Sequence, residues 1–217
     1  MNNLTLNKDI NAFLDLYSTF KYDKRRENKF SILRGIMDIC DTSGLYLGYS
    51  FEIKIYIDKE KYPYCVPIVV ELSKLIERDE SWHINNDGVC CLDIDHKLEF
   101  LSKTGINIIA FYQEVIYPYF ANTVYKMNTG KYANGEYLHN FNGVIQFYNE
   151  DLMESNSDII ISILKSILEN KIPGRNSICI CGSNRKFKKC HIGMINFLKS
   201  LSRERLIRDL EGFKSVT

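Results

Sequence analysis

Apolar residues recur along this chain at two different periods, and the change of period divides it into elements. From Asn7 to Phe20 the spacing of Ile10, Phe13, Leu14 and Tyr17 is helical, so an amphipathic helix is expected to open the chain. A basic loop, Lys21 to Lys29, is expected to end it. Phe30 to Cys40 is rich in β-branched and aromatic residues. After the turn Asp41-Thr42-Ser43-Gly44, Leu45 to Ile57 places Leu45, Leu47, Tyr49, Phe51, Ile53, Ile55 and Ile57 on one side. That alternation predicts an antiparallel hairpin. Tyr62-Pro63 and Pro67 punctuate the chain before a short apolar strand, Ile68 to Leu72, so the minimum sheet is a meander of three strands.

Between Ser73 and Phe100 no long periodicity survives, and polar, sulfur-bearing and imidazole side chains crowd together there. A stretch of that kind is where a site is expected. Thr104 is the expected cap of a helix over Ile106 to Tyr125 that buries Ile108, Ile109, Tyr112, Val115 and Ile116, with Pro118 kinking or ending its first part. Gly130 to Gly135 reads as a loop, Phe141 to Leu152 as a short aromatic helix, and Ser157 to Leu168 as an amphipathic helix introduced by Asn156-Ser157-Asp158. Pro173-Gly174 marks a domain boundary, and Met194 to Phe213 is expected to close the chain as one basic helix.

With 217 residues, 45% hydrophobic and 25% charged, the composition is that of a folded soluble chain rather than a disordered one. No apolar run approaches the roughly 20 residues of a spanning helix, and Met1-Asn2-Asn3-Leu4 has no charged-then-apolar leader, so neither membrane insertion nor export is expected. The formal charge of +1 gives the whole chain no electrostatic case for nucleic acid. Its distribution changes that picture. Between Lys171 and Leu206 nine basic residues face one acid, Glu204, a local balance of +8 that leaves −7 for the remainder. A basic C-terminal module on a mildly acidic main domain follows, with a different partner expected for each.

Cys40, Cys65, Cys90 and Cys91 fall in the first half, whereas Cys179, Cys181 and Cys190 crowd beside His191. An odd count of seven with no leader argues for reduced thiols and a cytoplasmic location. Cys179-Ile180-Cys181 and Cys190-His191 offer three thiolates and an imidazole, the soft set that suits tetrahedral zinc. Four protein ligands leave no open position for water, so the expected zinc is structural. The run Cys-x-Cys-Gly-Ser-x-x-Lys-x-Lys-x-Cys-His over about residues 174 to 193 resembles the SEC-C motif, a short zinc-binding knuckle.

A second pattern joins Leu33-Arg34-Gly35, the hairpin, Tyr62-Pro63 with Pro67, and the run His83-Ile84-Asn85-Asn86-Asp87-Gly88-Val89-Cys90-Cys91-Leu92-Asp93-Ile94. Over about residues 5 to 125 it resembles a ubiquitin-conjugating enzyme, and in particular the divergent bacterial relatives associated with antiphage and mobile-element operons. The resemblance implies an α+β fold, an antiparallel β-meander flanked by helices; the knuckle and the basic helix after it add a small zinc module and a terminal helix. Together with the Pro173-Gly174 boundary and the knuckle, the expected organisation is a ubiquitin-conjugating-like domain over 1–155, a connecting helix over 156–172 and a zinc module with its helix over 173–217. The resemblance lays Cys91 on the thioester position and His83-Ile84-Asn85 on the His-Pro-Asn segment, with Ile84 in place of proline. Asn85 becomes the oxyanion donor, Asn86 a substitute for it, and His83 a support of the loop. Asp93, Asp95 and His96 are near enough in sequence to supply the base. Cys90, facing away from Cys91 in an extended segment, is expected in the core. His139 has a structural role as its default and a switch or base as its alternative.

Two classes of function follow from these residues. In the first, Cys91 accepts the C-terminus of a ubiquitin-like or other protein from an activating-enzyme-like partner and passes it to a target. In the second, the fold is an inactive binding module or adaptor that docks an acidic protein or RNA through the basic zinc knuckle. A cysteine hydrolase is the weaker third reading, because His96 does not easily reach back to Cys91 along a strand.

Overall fold

The computed structural model describes residues 2–23, 29–133 and 135–216. The chain divides into two units, residues 1–136 and 137–217. The first opens with α1 (Asn2–Leu16), whose Leu6, Ile10 and Phe13 are buried. Four strands follow: β1 (Phe20–Asp23), β2 (Phe30–Cys40), β3 (Tyr46–Asp58) and β4 (Ile68–Glu71). They form one antiparallel meander in that order. The expected three-strand minimum therefore gains an edge strand, β1, where Lys21 to Asp23 read as loop; residues 24–28 of that loop lie outside the described residues. Its charges hid it, because a short edge strand needs only Phe20 on the core side.

Leu33, Met37 and Ile39 of β2 are buried, as are Phe51, Ile53, Ile55 and Ile57 of β3. Each large apolar side chain so placed contributes roughly 1.5–3 kcal/mol. The alternation of β3 continues past the core: Leu45 and Leu47, expected on the same side as Phe51 and Ile53, are exposed. Beyond the register shift between Asp38 and Cys40 the hairpin tip has no core beneath it. Phe20 lies opposite Gly35 in the ladder, and a Cβ at Gly35 would come within 2.5 Å of the Phe20 ring. Glycine in the Leu-Arg-Gly run thus lets Phe20 lie flat on β2, where its ring meets Phe13 and Tyr112 edge-on.

α2 (Asp95–Thr104) begins inside the stretch expected to be irregular. Thr104 ends it instead of capping the next helix, and the cap is Asn107, whose Oδ1 accepts from the Ile109 and Ala110 N–H groups. From there α3 (Ile108–Phe111) passes through a π turn (Tyr112–Ile116) into α4 (Tyr117–Thr129) without a break. Pro118 falls in the first turn of α4, and the ladder widens just before it, with the Tyr117 N–H donating to the Tyr112 carbonyl. The expected kink is absorbed in this way.

The second unit holds α5 (Asn140–Glu150), α6 (Ser157–Leu168), α7 (Ile192–Leu198) and α8 (Arg203–Val216). Tyr148 of α5 stacks edge-on against Phe213 and donates its hydroxyl to Asp209 Oδ2 at 2.8 Å, both on α8. Helix α5, assigned by sequence to the first domain, thus packs with the C-terminal helices, and the observed division falls at 136/137 instead of after 155. The single closing helix expected over Met194 to Phe213 is two. Ser202 interrupts it, its Oγ accepting the Arg205 N–H at 3.2 Å as a cap for α8. Among the described residues no helix is long and apolar enough to cross a membrane.

Candidate metal centre and the Cys91 loop

In the C-terminal unit the knuckle is built from backbone hydrogen bonds before any side chain takes part. Cys179 N–H donates to the Arg185 carbonyl and Phe187 N–H to the Ser177 carbonyl, which doubles the chain back across Gly182-Ser183. A 3₁₀ turn over Phe187–Lys189, seated on the buried Phe187 ring, then delivers Cys190 and His191 to the same point. The donor atoms of Cys179, Cys181, Cys190 and His191 all lie within 4.8 Å of one another. His191 Nδ1 is 3.3 Å from both Cys179 Sγ and Cys190 Sγ, and Cys181 Sγ is 3.5 Å from Cys190 Sγ. Tetrahedral ligation at ordinary Zn–S and Zn–N lengths spaces such donors by about 3.5–3.8 Å, so the set fits a metal ion with little adjustment.

The thiols respond to this crowding in opposite ways. Burial pushes the Cys179 thiol up. Burial also acts to raise Cys181, but hydrogen bonds from Ser183 and from the neighbouring cysteines outweigh it and hold that thiol at about 6. On its far side His191 presents Nε2 to Glu154 Oε2 at 2.9 Å, both side chains largely buried. Nothing in the spacing of the cysteines points to Glu154, which lies outside the motif.

The second site belongs to the first unit. Asn85 Oδ1 accepts from the Asp87 and Val89 N–H groups, and Asn85 N–H donates to the Val89 carbonyl, closing a tight turn. Gly88 holds φ +83, and a Cβ there would meet the Glu71 carbonyl oxygen at 2.5 Å. That close approach lets Glu71 N–H donate to the Gly88 carbonyl and Cys90 N–H to the Val69 carbonyl, so the loop is fastened to β4. Behind it Arg78 Nη2 reaches Glu71 Oε2 at 2.5 Å and the Glu71 carbonyl at 2.9 Å.

Cys90 points inward, 8% exposed, and burial pushes its thiol up to about 12. Cys91, the next residue, is exposed, and its N–H donates to the His83 carbonyl at 2.7 Å. Its thiol is also held above the ordinary range, first by desolvation and then by the negative charges of Asp95 and Glu80. The structure brings His83, Asn85 and Cys91 together in one hydrogen-bonded loop.

The roles of the other expected residues divide. Asn85 spends its carbonyl oxygen on the turn, which leaves the amide NH2 as its donor. Asn86 is exposed on the same turn. Asp93 Oδ1 accepts the Ile94 N–H at 2.7 Å, and Asp95 opens α2. His96 is fully buried and so is not presented to solvent beside the exposed Cys91. His83 supports the loop through its backbone, while its Nε2 faces Glu136 Oε2 at 2.9 Å. Lys126 sits over the rings of Trp82 and Tyr132 and also bonds the Ser81 carbonyl. Tyr119, Lys126 and Glu136 were not visible as site residues, because they reach the loop from α4 and from the segment after it. His139 lies in the other unit, at the start of α5.

No curated protein and no solved structure matches the chain. Residues 175–192 match the SEC-C motif, and the cluster of Cys179, Cys181, Cys190 and His191 falls within that match.

Proposed function

We propose that this chain is a ubiquitin-conjugating-like transferase that carries a protein C-terminus as a thioester on Cys91, with a zinc-clamped basic knuckle as a second, structural module. The observation that carries the reading is the contrast between adjacent thiols: Cys90 lies in the core and Cys91 stands exposed at the end of a loop fastened to the sheet. The element order supports it: a helix, an antiparallel meander, a Tyr-Pro turn, then an exposed cysteine ahead of the next helix.

In this reading the Cys91 thiolate attacks the carbonyl of a thioester held by an activating-enzyme-like protein. A C–S bond to Cys91 forms, and the donor's sulfur leaves as a thiolate. An amine of the target then attacks the same carbonyl, a C–N bond forms, Cys91 leaves, and the amine proton passes to a carboxylate such as Asp93 or Asp95. The Asn85 amide NH2 supplies the donor to the developing oxyanion, a role worth about 10²-fold or more in rate. Desolvation first, and then the negative charges of Asp95 and Glu80, hold the Cys91 thiol above the ordinary range, so a cationic group of a partner that neutralises those carboxylates favours the nucleophilic thiolate. Cys91→Ser tests the scheme: the poorer leaving group traps the carried protein as an ester that survives thiol reductant, whereas Cys91→Ala carries nothing.

A second reading is favoured by the surface of the knuckle. Arg175, Arg185, Lys186, Lys188 and Lys189 are all exposed there. As an adaptor, the module docks an acidic protein or RNA through these cations and needs no reaction at Cys91. Binding that falls steeply with salt and is lost in Lys186→Glu with Lys188→Glu, while Cys91→Ala retains full biological activity, decides for the adaptor.

A further inference from the structure

We propose that Glu154 is a positioning residue of the metal centre, holding His191 so that Nδ1 is the ligand atom and tying the knuckle to the helices beside it. The inference rests on the reading that Cys179, Cys181, Cys190 and His191 hold a metal ion.

Glu154 lies outside residues 175–192 and is presented by the helical body of the unit rather than by the knuckle. Its N–H donates to the carbonyl of Tyr148, a fully buried residue of α5, at 3.0 Å. Its Oε1 accepts the N–H of Asn156, the residue that caps α6, at 2.9 Å. Both the backbone and one carboxylate oxygen are thereby fixed. The other oxygen, Oε2, is aimed at His191 Nε2 at 2.9 Å, and each of the two side chains is only 12% exposed.

That geometry decides the imidazole's tautomer. Nδ1 stands 3.3 Å from two of the thiol sulfurs, where a metal would take its lone pair, so the ring proton belongs on Nε2 and is donated to Glu154. A carboxylate in this position fixes the ring's orientation and raises the donor strength of the coordinating nitrogen. Metal binding is then coupled to the start of α6 through the same side chain.

A double-substitution cycle on the full chain tests this, with Zn²⁺ affinity read by competition against a chromophoric chelator. In the wild-type background Glu154→Ala should weaken Zn²⁺ binding by about 10–100-fold. In a His191→Cys background no imidazole remains to be oriented, and the same substitution should change affinity by no more than about 2-fold. Glu154→Gln keeps an acceptor and the shape while losing the charge, so it takes the place of Glu154→Ala if that variant does not fold, again with a loss confined to the wild-type background. The absorption bands of the Co²⁺-loaded chain should shift in either variant. Equal losses in both backgrounds, no loss in either, or an unchanged Co²⁺ spectrum overturns the proposal. A wild-type chain that takes up no Zn²⁺ overturns the metal reading itself, an outcome distinct from binding that ignores Glu154.

Discussion

The hydroxyl of Tyr119, on α4, donates to the carbonyl oxygen of His83 at 2.9 Å, and that oxygen also accepts the Cys91 N–H at 2.7 Å. Helix α4 thus holds the same backbone carbonyl that anchors the N–H of Cys91. Tyr119→Phe removes the donor and nothing else of the shape. A loss of about 1 kcal/mol in denaturant stability is expected, with faster hydrogen exchange at the Cys91 amide than at the Val89 or Cys90 amides.

Gly88→Ala should be more damaging, because its left-handed backbone and its 2.5 Å approach to the Glu71 carbonyl both exclude a Cβ. The expected cost is about 1–3 kcal/mol, read from the unfolding midpoint, together with exposure of Cys90 to alkylation as the loop lifts from β4.

The two adjacent thiols should separate under mild alkylation. Cys91 reacts in the native protein, more slowly at neutral pH than in the unfolded chain because its thiol is raised, and its rate climbs as pH rises. Cys90 stays unreacted until the fold opens. Since the folded state holds the Cys90 proton up to about 12, against roughly 8.5 in an unfolded chain, the stability tied to that proton is complete below the lower value. It is lost progressively as pH rises between the two. Mass mapping of labelled peptides against pH, with unfolding midpoints measured alongside, checks both statements.

What could be read in advance followed from local pattern. Strand β2 and helix α6 stand where β-branched content and helical period put them, since each buries an apolar face. Alternation alone does not show where the core ends, and Leu45 and Leu47, on the same side of the pattern as Phe51 and Ile53, are exposed. Charged Lys21 and Asp23 concealed β1, and the polar helix α2 offered too weak an apolar stripe to announce itself. The four metal donors were legible because they are close in sequence. Glu154 and Tyr119 were not, because each comes to its site from another element through tertiary packing.

Chelation of the metal should act on the C-terminal unit. The knuckle keeps little apolar burial beyond Phe187 and Cys179, so ligation of a metal ion is expected to supply most of its folding free energy. Removal of metal from a chain carrying one equivalent of zinc should open residues 174 to 190 to limited proteolysis and leave residues 30–129 protected. Cleavage unchanged by chelation contradicts a structural metal, as does unchanged zinc content in Cys179→Ser with Cys190→Ser.

Whether Cys91 carries an acyl group is decided by intact-mass analysis of the protein isolated from expressing cells, quenched in acid without reductant. A covalent protein adduct that thiol reductant or mild hydroxylamine releases is expected on the wild-type chain. Cys90→Ala should retain the adduct and Cys91→Ala should lack it. An adduct that persists in Cys91→Ala, or a wild-type chain that stays unmodified when supplied with its activating-enzyme-like partner, ATP and the carried protein, would rule out Cys91 as the acyl carrier.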